Sequence, residues 1–387
     1  MRLRRCLVAL PLLLTACGQQ AAPESSGGGP QSALGFTVHA GAVQFPSDTS
    51  DWVPENVGLL ALVPANGCVT GLGTFANGAR NVAANWVGTE NCTKLLLQPT
   101  PSSSGGSPVV DGPDPALPSG NALPSNGAVG WTDGSVIAAG THFRRRGTDG
   151  ITTLGALEGY RKSTAMVRTG DRLVAVGTGY PAKDKIRPMV WLSDDAGASS
   201  RWAELPQPAE EDPVDGPHTL AADGDNLLAA NYSGRQVKLW SSTDRGKTWT
   251  FSKTPDLPPD TTINGIQRVG GEWMLFGRAQ GARQPNVPVV LRGDPAKAWR
   301  LDDRDRLGDG GITAGTVDKA GKAILLGEKS ETDTDGKRTR YCATVLVQDG
   351  PGWDRGELGC IASPPRTITT LEDGRVLIAG NQDLWLR

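Results

Sequence analysis

One pattern recurs along most of this chain and limits what it can fold into. An apolar segment meets a tight turn, and a short apolar strand follows that ends in Gly or Asn. It appears as WTDGSVIAAG, VRTGDRLVAVG and AADGDNLLAAN, ending at Gly140, Gly177 and Asn231. RVGGEWMLFG, VDKAGKAILLG and LEDGRVLIAG follow, ending at Gly277, Gly327 and Gly380. LVPANGCVTGLG, ending at Gly73, is a divergent copy. Asp-Gly, Gly-Gly, Asn-Gly and Gly-Asp between apolar runs signal β-hairpins, because the turn needs positive φ. Most copies lie about 45 to 55 residues apart, a period that indicates stacked or radial repetition of one unit.

A second hairpin follows each first one. Its fullest form is KLWSSTDRGKTWTFS, from Lys238. WLSDDAGASSRW keeps Ser193, Asp195, Gly197 and Trp202 but carries extra residues. LRGDPAKAW keeps Asp294 and Trp299, and VQDGPGW keeps Asp349 and Trp353. Two hairpins per unit make a four-stranded sheet. A series of such sheets without helical periodicity between them predicts an all-β chain, a β-propeller. The copies indicate seven blades, and the divergent first unit leaves six open. The last unit, ending in DLWLR, supplies three strands. The apolar segment Phe36 to Phe45 is expected to add the fourth and close the ring.

The stretch Ser242-Thr243-Asp244-Arg245-Gly246-Lys247-Thr248-Trp249 resembles the Asp-box, or BNR repeat. That motif occurs in sialidases, sortilin-type receptors and photosystem II assembly-factor propellers. The resemblance implies the turn between the third and fourth strands of a blade, on the face away from a catalytic mouth. It therefore gives Ser242, Asp244, Gly246, Thr248 and Trp249 a structural role. The residue chemistry agrees: Ser and Asp side chains bond to turn backbone, Gly accepts positive φ, and Trp packs over the turn.

The N-terminus reads as an export signal. Three arginines precede an apolar run from Cys6 to Leu14 that is too short to span a bilayer. Leu14-Thr15-Ala16-Cys17 resembles the lipobox of bacterial lipoproteins, which implies acylation of Cys17 after removal of residues 1–16. Residues 17–35 then form a flexible tether and residues 36–387 the propeller, with a Pro/Ser/Gly-rich insertion at 99–127. Removing three arginines takes the formal charge from −2 to −2 − 3 = −5. This mildly acidic body lacks the basic field of a nucleic-acid binder. Expected partners are membrane lipid, through acylated Cys17, and an envelope protein or glycan.

Cys68, Cys92, Cys342 and Cys360 remain for disulfides in an exported protein. Proximity in the chain favours Cys68–Cys92 and Cys342–Cys360. The second pair is symmetric about Pro351, across the proposed hairpin. The first pair is less direct, because Cys92 is expected to begin strand four and strand three lies between.

Function is less legible. The long polar loops gather on one face, where inner strands begin. Tyr160, Arg161, His218, Asn264 and Arg366 are the candidate ligand residues, with Thr219, Thr313 and Thr367 beside them. No cofactor is expected, and no catalytic residue is assigned. His39, His142 and His218 are not at metal-ligand spacing, and no G-x-S-x-G elbow occurs. Asp333, Asp335 and Gly336 echo a calcium loop without its later Glu. A sialidase needs an arginine triad, a Tyr nucleophile and an Arg-x-Pro signature. Here Arg187-Pro188 lacks the intervening residue, and only Tyr160, Tyr180, Tyr232 and Tyr341 exist as nucleophiles. The expected role is a binding or scaffold module. The alternatives are an exo-sialidase-like glycoside hydrolase and an assembly factor for a membrane complex.

Overall fold

A computed structural model describes residues 29–44, 57–77, 80–97, 127–147, 150–157, 161–182, 185–211, 216–231, 235–280, 286–332, 339–361 and 364–387. The signal segment, Cys17, Tyr160, the 333–336 stretch and nearly all of the 99–127 insertion lie outside the described residues.

Seven sheets are present, so the propeller has seven blades. Blades 1 to 6 follow chain order, and their innermost strands are Val57–Ala65, Ala128–Gly130, Arg161–Thr169, Pro217–Asp223, Thr261–Val269 and Gly311–Val317. Blade 7 is built from both termini. Thr367–Thr370, Val376–Ala379 and Leu384–Leu386 receive the N-terminal strand Thr37–His39, antiparallel to Leu384–Leu386. The segment expected to close the ring does more than that. Val43–Gln44 goes on to pair in parallel with Lys94–Leu97, as a fifth strand on blade 1. One short segment therefore clasps two neighbouring blades. Phe36 anchors it, buried at 1% exposure against Ile324, Val345 and Trp385. Residues before it are seated too: Gln31 N donates to the Leu358 carbonyl at 2.8 Å, and Trp385 Nε1 donates to the Gln31 carbonyl at 2.8 Å.

The core lies between blades, where the apolar faces of adjacent sheets meet. Second strands such as Leu173–Val176 and Leu227–Ala230 are fully buried because both sheet faces are covered. The outer strand Arg201–Glu204 is exposed throughout. In strand three, Trp86, Trp191 and Trp240 recur at one register position, opposite Gly71, Ala175 and Ala229. A large indole opposite a small residue fills the wedge between blades without a void. This repeat stood two residues ahead of Ser193 and Ser242 in the sequence and was a usable signal.

Both disulfides are formed. Cys342 faces Cys360 directly in register across the third and fourth strands of blade 6. Cys68–Cys92 forms as well, by a different route from the one expected. Cys92 does not begin strand four. It sits in the turn before Lys94–Leu97, within a left-handed run from Glu90 to Cys92. The bridge passes over strand three at Gly88. A β-carbon there would overlap Cys68 Sγ and stand 3.1 Å from its Cβ and 3.3 Å from the Val69 carbonyl.

Candidate functional site

The inner strands surround the central channel. Five of them carry a register shift at one equivalent residue: Leu60, Thr164, His218, Asn264 and Thr313. A bulge re-aims a side chain at the end of a strand. Here the freed side chains reach around the ring. Thr164 Oγ1 donates to the Pro217 carbonyl at 2.5 Å, and Asn264 Nδ2 donates to the Ile312 carbonyl at 2.6 Å. Deeper down, Thr169 Oγ1 bonds the Gly224 carbonyl at 2.6 Å and Gln267 Nε2 the Gly315 carbonyl at 3.0 Å. Thr316 and Thr370 hydroxyls meet at 2.9 Å. The inner ring is thus laced from blade to blade.

The channel holds a cavity of about 310 Å³. Among the proposed residues, Asn264 and Arg366 line it together with Thr219, Thr313 and Thr367. His218 occupies its bulge and is exposed, but it is not part of that lining. Of Arg161 only the backbone pairing with Gly179 is described. Gln267 and Val167 also line the cavity and were missed. Nothing local marks them, because strands of six blades bring the described lining together.

Arg366 is the charged member. Its Nε stands 3.6 Å from Glu328 Oε2, with the Arg366 side chain 64% exposed and Glu328 only 11%. The remaining polar lining is amide and hydroxyl, and no carboxylate occurs among the described lining residues. Two-carboxylate hydrolysis needs an acid and a base about 5 to 9.5 Å apart across the scissile bond. The described channel offers hydrogen bonds and one guanidinium in place of that pair. Glu331 lies close to Cys342 and Cys360, but those sulfurs are bonded to each other and cannot serve as thiolate ligands.

The turn at Ser242–Trp249 lies at the other end of the strands. Ser242 Oγ accepts from Gly246 N at 2.9 Å and donates to Asp244 Oδ1 at 2.8 Å. Asp244 accepts from Thr248 N at 2.9 Å and Thr248 Oγ1 at 2.6 Å. Trp249 Nε1 closes onto the Gly246 carbonyl at 2.9 Å. Gly246 has φ +82°, as the turn requires. Burial works against the Asp244 carboxylate, but the Thr248, Ser242 and Lys247 hydrogen bonds outweigh it and hold its pKa at about 2. Blade 3 repeats this geometry without insertion. Ser193 Oγ accepts from Gly197 N at 2.8 Å, and Asp195 accepts from Ser199 N at 2.9 Å and Ser199 Oγ at 2.5 Å. The extra residues expected from the sequence are not there: Trp202 pairs with Trp191 as Phe251 pairs with Trp240, so Ser199 stands where Thr248 does and Ser200 where Trp249 does. Asp294 in blade 5 is a local cap, accepting from Ala296 N at 2.9 Å.

No family model and no curated protein matches the chain. Solved structures do. An α-L-arabinanase of Penicillium chrysogenum complexed with arabinobiose is 15% identical, covers 57% of this chain and 76% of its own, and has a TM-score of 0.41. A streptogramin B lyase is 11% identical over 68% of this chain and 94% of its own, at TM-score 0.41. A gluconolactonase of Xanthomonas campestris is 16% identical over 67% and 84%, at TM-score 0.41. Several matches are sugar-acting enzymes, but at these identities and scores no activity passes from any of them to this chain.

Proposed function

We propose that this chain is a binding module, anchored by acylated Cys17 on the outer side of a bacterial membrane, which presents the channel mouth to an envelope protein or glycan. The carrying observation is the channel lining: one guanidinium, at Arg366, among amide and hydroxyl groups, with no carboxylate among the described lining residues and the neighbouring Glu328 paired with Arg366. Such a lining can orient a ligand by hydrogen bonds. Among the described lining residues there is no carboxylate pair to protonate a leaving oxygen and attack a sugar carbon. The single arginine of the described lining also falls short of the triad a sialidase uses. Two disulfides suit an oxidising compartment. We assign Ser242–Trp249 and its blade 3 counterpart as Asp-box turns with a structural role, at the end of the blades opposite the mouth.

The test uses the full lipoprotein, tagged at its C-terminus, cross-linked in its own membranes and compared with Arg366→Glu. Loss of the cross-linked partner or bound glycan in the variant supports the reading. Turnover of a fluorogenic sialoside or arabinoside by the wild type, abolished by Arg366→Glu, would establish a glycosidase instead.

A further inference from the structure

At the end of the blades away from the channel mouth, the turn between strands three and four usually leans onto the preceding blade. In blade 4, Arg172 NH1 of blade 3 donates to the Arg245 carbonyl at 3.2 Å, and Gly246 packs toward Val174 and Leu192. In blade 3, Gly155 N of blade 2 donates to the Gly197 carbonyl at 2.7 Å. In blade 1, Arg375 NH1 of blade 7 donates to the Asn91 carbonyl at 2.8 Å. Blade 6 differs. Asp349 pairs directly with Gly352, so its turn is only Gly350-Pro351, and its one hydrogen bond toward blade 5 comes from the long Arg306 side chain, whose NH1 donates to the Pro351 carbonyl at 3.2 Å. The space such a turn would fill is left as a cavity of about 430 Å³ between blades 5 and 6.

Three arginines and three carboxylates line that cavity, so its charges balance in number; Arg306 donates to the Pro351 carbonyl at 3.2 Å and Asp303 accepts from Asp305 N at 3.1 Å, and the other four form two ion pairs. Arg300 holds Glu272 through two bonds, at 2.7 and 2.6 Å. Arg292 Nε holds Asp302 at 3.0 Å, and its guanidinium lies 5.3 Å from the Trp353 ring centroid. A free anion would have to compete with Glu272 and Asp302 for their arginines. A hydroxyl can accept from a guanidinium and donate to a carboxylate without breaking either pair. Trp353 and Leu301 add apolar surface, and Leu301 is 49% exposed. Polar pairs of both signs beside an aromatic ring suit a ligand that is hydroxylated at its edge and apolar on its face.

We propose that the cavity between blades 5 and 6 is a second binding site, specific for a neutral sugar and separate from the channel mouth. It stands independently of the function proposed above.

The experiment titrates the full chain with methyl glucoside, methyl galactoside, methyl N-acetylglucosaminide and methyl glucuronide, read by ligand-observed NMR. Leu301→Arg fills the cavity from an exposed position, and Arg300→Gln removes one charged pair. Circular dichroism checks that each variant folds. Binding of at least one neutral glycoside, weakened about tenfold or more by both variants and unchanged by Arg366→Glu, is the expected result. Binding of none of the probes would overturn the proposal, as would binding that both folded variants retain. Binding of the glucuronide alone would overturn the neutral specificity.

Discussion

Replacing Gly88 with Ala tests the most specific packing constraint in the structure. The added β-carbon would overlap Cys68 Sγ, with Cys68 Cβ at 3.1 Å and the Val69 carbonyl at 3.3 Å also in the way. Backbone on that side prevents an easy retreat, so the cost falls on the Cys68–Cys92 bridge. The bridge spans a sequence separation of 24. Closing a loop of that length in the unfolded chain stabilises the folded state by about 3.5 kcal/mol in the chain-entropy account. Gly88→Ala should therefore lose up to about 3.5 kcal/mol under oxidising conditions. Under reducing conditions the difference should shrink, because the freed Cys68 Sγ can rotate away while the contacts with Cys68 Cβ at 3.1 Å and the Val69 carbonyl at 3.3 Å remain. The assay is guanidinium unfolding of both proteins with and without reductant, alongside counting of free thiols in the oxidised, unfolded chains. A Gly88→Ala protein with both disulfides formed and wild-type oxidised stability would refute the reasoning.

Asp244→Ala should cost about 2–2.5 kcal/mol at neutral pH, the free energy that separates its ordinary carboxyl pKa of 3.8 from about 2. A carboxyl whose folded pKa is depressed stabilises above its unfolded pKa and loses that contribution as pH falls through the folded value. Acid unfolding curves of wild type and variant should therefore converge between about pH 4 and pH 2, and a gap that stays constant would count against the assignment. Phe36→Ala empties a buried anchor of the N-terminal strand and should cost about 3–5 kcal/mol, measured by thermal or denaturant unfolding. Hydrogen exchange should then speed up at Thr37–His39 and Leu384–Leu386, whose backbone pairing closes the ring; unchanged protection there would show that Phe36 does not hold the closing strand.

Some of this protein is determined by short-range chemistry and could be read in the sequence. Each hairpin turn depends on a few adjacent residues, as Ser242, Asp244, Gly246 and Thr248 show by bonding within four positions of one another. Repetition of that local unit specified four-stranded sheets, and their repetition in turn specified a propeller. Cys342–Cys360 was legible because the two cysteines flank one hairpin, but the Gly350-Pro351 turn alone would set Cys342 opposite Gly359, and a bulge between Ala343 and Thr344 brings Cys360 into register. What the sequence left open was settled by contacts between distant segments. The blade count rests on a divergent first unit, whose strands form a sheet of their own packed between blades 7 and 2. Cys68–Cys92 depends on the missing side chain of Gly88, which matters only once strand three lies beneath the bridge. The channel lining joins Thr219, Asn264, Thr313 and Arg366 from four blades, and the cavity between blades 5 and 6 lies beside the two-residue Gly350-Pro351 turn, which only the long Arg306 side chain bridges. Turn preferences act over a few bonds along the chain, whereas a cavity is the space left between surfaces that the chain brings together only after the ring has closed.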